Sequence, residues 1–96
     1  MKEKLLFRIQ VTGRVQGVGF RWNAARVARN LGIKGFVKNL PDGSVYIEAE
    51  GTGEQLKEYV EWCKRGPGSG YVESVNTEEL IPANYTDFRI LHTPAH

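Results

Sequence analysis

The chain has one cysteine, Cys63, and two histidines, His92 and His96. A single thiol makes no internal disulfide and no thiolate metal cluster. Two histidines confined to the last five residues are too few, and too close to a chain end, to build a histidine metal site. Neither a metal nor another cofactor is therefore expected. Long apolar runs are missing too. Near the N-terminus the longest is Leu5-Leu6-Phe7, too short for a signal-peptide core and far below the roughly 20 residues that span a bilayer. A cytoplasmic protein with no membrane partner is expected. What the 96 residues do contain, 41% hydrophobic and 25% charged, suits one compact domain over residues 1–96, expected to be a monomer.

The net charge of +2 is unevenly spread: nine of the 13 Lys and Arg precede residue 41, opposed there by Glu3 alone, whereas ten of the 11 acidic residues follow. The two halves could simply attract each other in the folded state. Alternatively, the basic half supplies a local positive field for an anion, either a small phosphate or a nucleic acid.

Leu5, Phe7, Ile9 and Val11 alternate with Leu6, Arg8, Gln10 and Thr12, which predicts a strand with the first set inward. Gly13-Arg14-Val15-Gln16-Gly17-Val18-Gly19 follows as a glycine-rich loop. Phe20, Ala24, Val27, Ala28 and Leu31 then mark one helical face, stopped by Gly32. A second strand is expected over 33–40. Pro41-Asp42-Gly43 turns it into a third, in which Val45, Ile47 and Ala49 alternate with Tyr46, Glu48 and Glu50. Thr52 and Gln55 fit a capping box for a second helix over about 53–65. Strands over 72–80 and 87–91 complete the order βαββαβ plus a short fifth strand. This predicts an α+β, ferredoxin-like sandwich: an antiparallel sheet with two helices on one face.

Many functions use that fold, so function has to be sought in a site. Glycines at 13, 17 and 19 fit neither the dinucleotide fingerprint nor the P-loop. The loop nevertheless delivers N–H groups to a helix N-terminus, where partial positive charge accumulates. Arg21 stands in the first turn of that helix, an unfavourable place for a cation unless an anion lies in front of it.

Gly13-Arg14-Val15-Gln16-Gly17-Val18-Gly19-Phe20-Arg21 resembles the signature loop of the acylphosphatase family. Gly35-Phe36-Val37-Lys38-Asn39, followed by Asp42-Gly43-Ser44-Val45, is similar to the family's second strand and hairpin. Gly51, Gly66-Pro67 and Phe88-Arg89-Ile90 fall at matching places, so the resemblance covers about residues 5–91. It implies a metal-independent hydrolase of acyl phosphates, with Arg21 and the loop amides of Gln16, Gly17, Val18, Gly19, Phe20 and Arg21 binding the phosphate. Asn39 would hold the attacking water, and inorganic phosphate would be product and competitive inhibitor. In some animal members a terminal carboxylate restrains the arginine; this chain runs on from Leu91 to His96, so that restraint is not expected here.

Elsewhere, Cys63 reads as a buried small hydrophobe rather than a nucleophile, and Trp22 and Trp62 as packing or surface aromatics. Asn23 has no evident role. Arg14 and Lys38 read as solvated charges. An RNA-binding module of the same element order is the alternative from another class. Its stacking aromatics would sit on strands 1 and 3, but the third strand carries Glu48 and Glu50, which repel a phosphate backbone. No nucleic-acid partner is expected. A third reading, an interaction or carbamoyl-phosphate-handling module like the similar domain of hydrogenase maturation proteins, is weakened because no attached domain is present.

Overall fold

Strand β1, Lys4–Arg14, lies inside the sheet and pairs antiparallel on both edges: with β3, Val45–Thr52, on one side and β4, Tyr71–Leu80, on the other. The structure, a computed structural model, describes residues 3–92. β2, Lys34–Asn39, forms the expected hairpin with β3, and β5, Phe88–Ile90, closes the sheet in the order β4-β1-β3-β2-β5. The helices are α1, Phe20–Leu31, and α2, Gly53–Arg65. The element order is the ferredoxin-like one expected.

One detail differs from expectation. The sheet is not wholly antiparallel, since β5 lies parallel to β2, with Gly35, Phe36 and Val37 opposite Phe88, Arg89 and Ile90. The cause lies on the sheet's outer face. Glu50 is 2% exposed, and its carboxylate accepts the backbone N–H groups of Ala83 (2.7 Å), Asn84 (3.0 Å) and Tyr85 (2.7 Å). Glu48 accepts the hydroxyls of Tyr46 (2.7 Å) and Tyr85 (2.6 Å). These two carboxylates hold the segment after β4 against the outer face, and the chain then enters β5 in the direction of β2.

The inner face carries the core. Ile9 and Val11 meet Ile47 and Val45 across the β1–β3 ladder, and Val37 meets Ile47 across β2–β3. All five are fully buried, with Ala24, Ala25 and Ala28 of α1 and Leu56, Tyr59 and Cys63 of α2 packed among them. Alanines let the helix lie close, and the Tyr59 hydroxyl reaches the Ala24 carbonyl at 3.0 Å, joining the two helices. Leu5 and Phe7, expected inward, are only partly buried, whereas Leu6 is 2% exposed on the opposite face. It lies opposite Glu50 and Leu80, beneath the segment that Glu50 holds. Gly35 is required by proximity: at φ 141°, a Cβ there would lie 1.8 Å from the Glu48 carbonyl oxygen. No described helix is long and apolar enough to cross a membrane.

Candidate active site

The two helices start differently. Thr52 and Gln55 cap α2 reciprocally, with Gln55 N–H to Thr52 Oγ1 at 3.2 Å and Thr52 N–H to Gln55 Oε1 at 2.8 Å, and Glu54 adds negative charge in the first turn. α1 begins at Gly19, which offers no side chain and adopts the left-handed conformation at φ 79°; no acidic residue stands in its first turn. The first N–H groups of a helix lack intrahelical partners, so α1 presents them with no protein cap and no compensating charge.

The loop before α1 is held from outside. The Ser69 hydroxyl donates to the Val18 carbonyl at 3.1 Å, and Asn23 Nδ2 donates to the Gly19 carbonyl at 2.8 Å. In a trans peptide the N–H points opposite to the C=O, so these bonds turn the N–H groups of Gly19 and Phe20 the other way. Asn23, given no role by the sequence, thus fixes the loop at the helix entry, and Arg26 Nη2 holds its Oδ1 at 3.1 Å. Gln16 works at the opposite end of the loop. Its Nε2 donates to the carbonyls of Leu40 and Ser44, both at 2.8 Å, which pins the loop to the β2–β3 hairpin beside Asn39.

A cavity of about 210 Å³ lies between loop, helix and edge strand, lined by Val15, Gly17, Gly19, Phe20, Arg21, Trp22, Asn39, Ile90 and His92. The structure therefore brings Gly17, Gly19, Phe20, Arg21 and Asn39 together. Gln16 and Val18, expected in the same set, are not among the lining residues: Gln16 is turned to the hairpin, and Val18 packs partly buried against the core. Arg14 and Lys38 do not line it either, and the Lys38 ammonium lies over the rings of Phe36 and Tyr46, 5.9 and 5.3 Å from their centroids.

Arg21 Nη1 donates to the Leu91 carbonyl at 3.0 Å. The restraint not expected from a chain that runs on is thus supplied by a neutral backbone oxygen, and the remaining donors of the fork are left for a ligand. Asn39 Oδ1 is, among the described residues, the one buried side-chain polar atom without a hydrogen-bond partner. Such an orphan acceptor in a small fold calls for a partner from outside the chain or a functional role. Cys63 takes no part: it is buried in the core and its thiol is pushed up to about 12 by burial. No group of three metal-ligating His, Cys, Asp or Glu side chains occurs among the described residues, and His96 lies outside them.

Trp22, Ile90 and His92 were not legible as site residues. The sequence signals β5, but only its parallel placement beside β2 brings Ile90 and His92 to the end of the strand that carries Asn39.

Fold and cavity together define a small α+β domain in which an uncapped helix N-terminus and one guanidinium border the same cavity. The sequence pattern of the acylphosphatase family matches residues 7–90. An acylphosphatase from Thermotoga maritima is 47% identical over 83 residues, covering 86% of this chain and 92% of that protein. The structure of an acylphosphatase from Coxiella burnetii superposes with a TM-score of 0.89 at 36% identity, over 92% of this chain and 93% of that one. The Bacillus subtilis acylphosphatase gives 0.88 at 39% identity, over 91% and 98%. The chain belongs to the acylphosphatase family.

Proposed function

We propose that the protein hydrolyses acyl phosphates to a carboxylate and inorganic phosphate, by in-line attack of a water that Asn39 orients on a phosphoryl group held by Arg21 and the amides of the loop residues that line the cavity, Gly17, Gly19, Phe20 and Arg21. The observation that carries this reading is the unpartnered Oδ1 of Asn39 in the cavity that Arg21 lines. An amide oxygen accepts a hydrogen bond from water, so it can fix a nucleophile's position, but it does not deprotonate it at neutral pH.

The chemistry suits so sparse a site. The leaving carboxylate has a conjugate acid of pKa about 4 to 5, judged from side-chain carboxyls, so no general acid is needed. The water oxygen bonds to phosphorus as the bond to the acyl oxygen breaks, and the bonding pair departs with the carboxylate. One proton of the water passes to a non-bridging phosphate oxygen. Charge in the transition state is spread over the phosphoryl oxygens, where a guanidinium fork and uncapped helix N–H groups stabilise it by position and field. No step uses a metal or a covalent enzyme intermediate.

The test is turnover of acetyl phosphate in excess chelator, for the wild type and Asn39→Ala. The wild type should keep its rate, whereas Asn39→Ala should lose turnover by about 10² or more, the scale of lost reactant positioning, with competitive inhibition by phosphate nearly unchanged. A near-normal rate in Asn39→Ala would refute the water-orienting role, and a strict requirement for added Mg²⁺ would refute the mechanism.

A further inference from the structure

We propose that Trp22 is a specificity-determining residue that favours acyl phosphates with a flat aromatic acyl group over those with a short or charged one. The inference rests on the acyl phosphate reading above and names the substrate class within it. The cavity of about 210 Å³ is open to solvent and has room beyond a phosphoryl group and its bridging oxygen, so an acyl group extends from Arg21 toward the exposed rim. Trp22 stands there. It lines the same cavity as Arg21, follows it in the first turn of α1, and is 67% exposed. Among the described residues its indole makes no ring contact and no hydrogen bond, unlike Trp62, which packs on Phe20 and Tyr59.

Singly exposed apolar side chains are ordinary on a folded domain, but two of them beside one cavity form a surface that an occupant of that cavity can cover. Among the described residues the four exposed large ones are Trp22, Tyr71, Ile81 and Leu91, and the first and last are the two beside this site: Leu91 stands between the lining residues Ile90 and His92. An aromatic acyl group laid against the indole would cover it and gain both burial and ring contact. The lining contains no carboxylate, so an acyl group carrying an ammonium finds no counter-charge. An acyl group carrying a second anion competes with its own phosphate for Arg21.

The experiment compares kcat/KM for benzoyl and acetyl phosphate in the wild type, Trp22→Ala and Trp22→Phe, with the thermal midpoint of each variant measured alongside. The wild type should prefer benzoyl phosphate. Trp22→Ala should lower kcat/KM for benzoyl phosphate about tenfold while acetyl phosphate stays within about twofold, the scale of one ring contact plus its buried area. Trp22→Phe should keep most of the preference. An equal fall for both substrates, or an unchanged preference in Trp22→Ala, overturns the proposal. If the wild type hydrolyses neither substrate, the acyl phosphate reading falls and this inference falls with it.

Discussion

Arg21 offers five donors in a rigid planar fork, and one of them is already committed to the Leu91 carbonyl at 3.0 Å. The side chain is therefore aimed before any ligand arrives, which lowers the ordering cost of binding. Removing it should weaken phosphate inhibition and turnover together. Arg21→Ala should lose transition-state stabilisation of about 3 kcal/mol or more, by comparison with oxyanion-hole deletions. Arg21→Lys should fail to restore it, because an ammonium cannot bond the Leu91 carbonyl and a phosphate with the same fixed geometry. Steady-state kinetics with phosphate as inhibitor checks both variants, and near-normal kinetics in Arg21→Lys would contradict the fork's role. Arg21 and Asn39, which line one cavity, were legible in the sequence as candidates because they sit inside a motif whose residues resemble a known loop and strand. Asn23 and Trp22 were not. Their roles depend on the path of the loop and the position of the cavity mouth, which no periodicity encodes.

At the level of elements, the loop before α1 and the β2–β3 hairpin carry the two halves of the proposed chemistry, and Gln16 is the bolt between them. Its Nε2 bonds the carbonyl of Leu40, the residue after Asn39, and that of Ser44, which is 3% exposed. Gln16→Met keeps the length and removes both bonds. We expect turnover to fall about tenfold, with stability reduced by about 1 kcal/mol for each lost bond. Phosphate inhibition should change less, because Arg21 and the start of α1 remain in place. Kinetics paired with denaturant unfolding separates these effects, and unaltered turnover would show that the bolt is dispensable. The periods of 2 and 3.6 identified β1, β3 and both helices, the expected order of elements matches the one observed, and the capping box at Thr52 and Gln55 located the start of α2. The direction of β5 was not readable. A three-residue strand has too little pattern to specify a partner, and its orientation follows from three backbone N–H groups gathered by Glu50 33 to 35 residues earlier. The same crossing segment explains why Leu6 is buried on the face expected to be solvated.

For the molecule as a whole, an anion that binds only the folded state raises stability by mass action. Inorganic phosphate at 100 times its dissociation constant should add about 2.7 kcal/mol, saturating as a single site. A thermal-shift titration against chloride at matched ionic strength checks this. Equal shifts in wild type and Arg21→Ala would remove the loop as the anion site. Stability should also fall in alkali. The Tyr46 and Tyr85 hydroxyls are pushed up to about 12, by burial first and then by the Glu48 carboxylate they share, and the Cys63 thiol is pushed up to about 12 by burial. In the unfolded chain these groups ionise near 10 and about 8.5. Between those values and about 12 the native state holds more protons than the unfolded one, so stability is intact below about pH 8.5 and declines as pH rises toward 12. Denaturant midpoints across that range should show the decline, and Tyr85→Phe should soften it; a flat profile would contradict the shifts. The contact between Arg21 and Leu91 joins two points 70 residues apart, and the second lies just past a three-residue strand at the sheet's edge, beyond which the chain continues to His96. A displacement of the backbone at Leu91 therefore also removes one of the bonds that hold the Arg21 guanidinium, which couples the sheet's far edge to the start of α1.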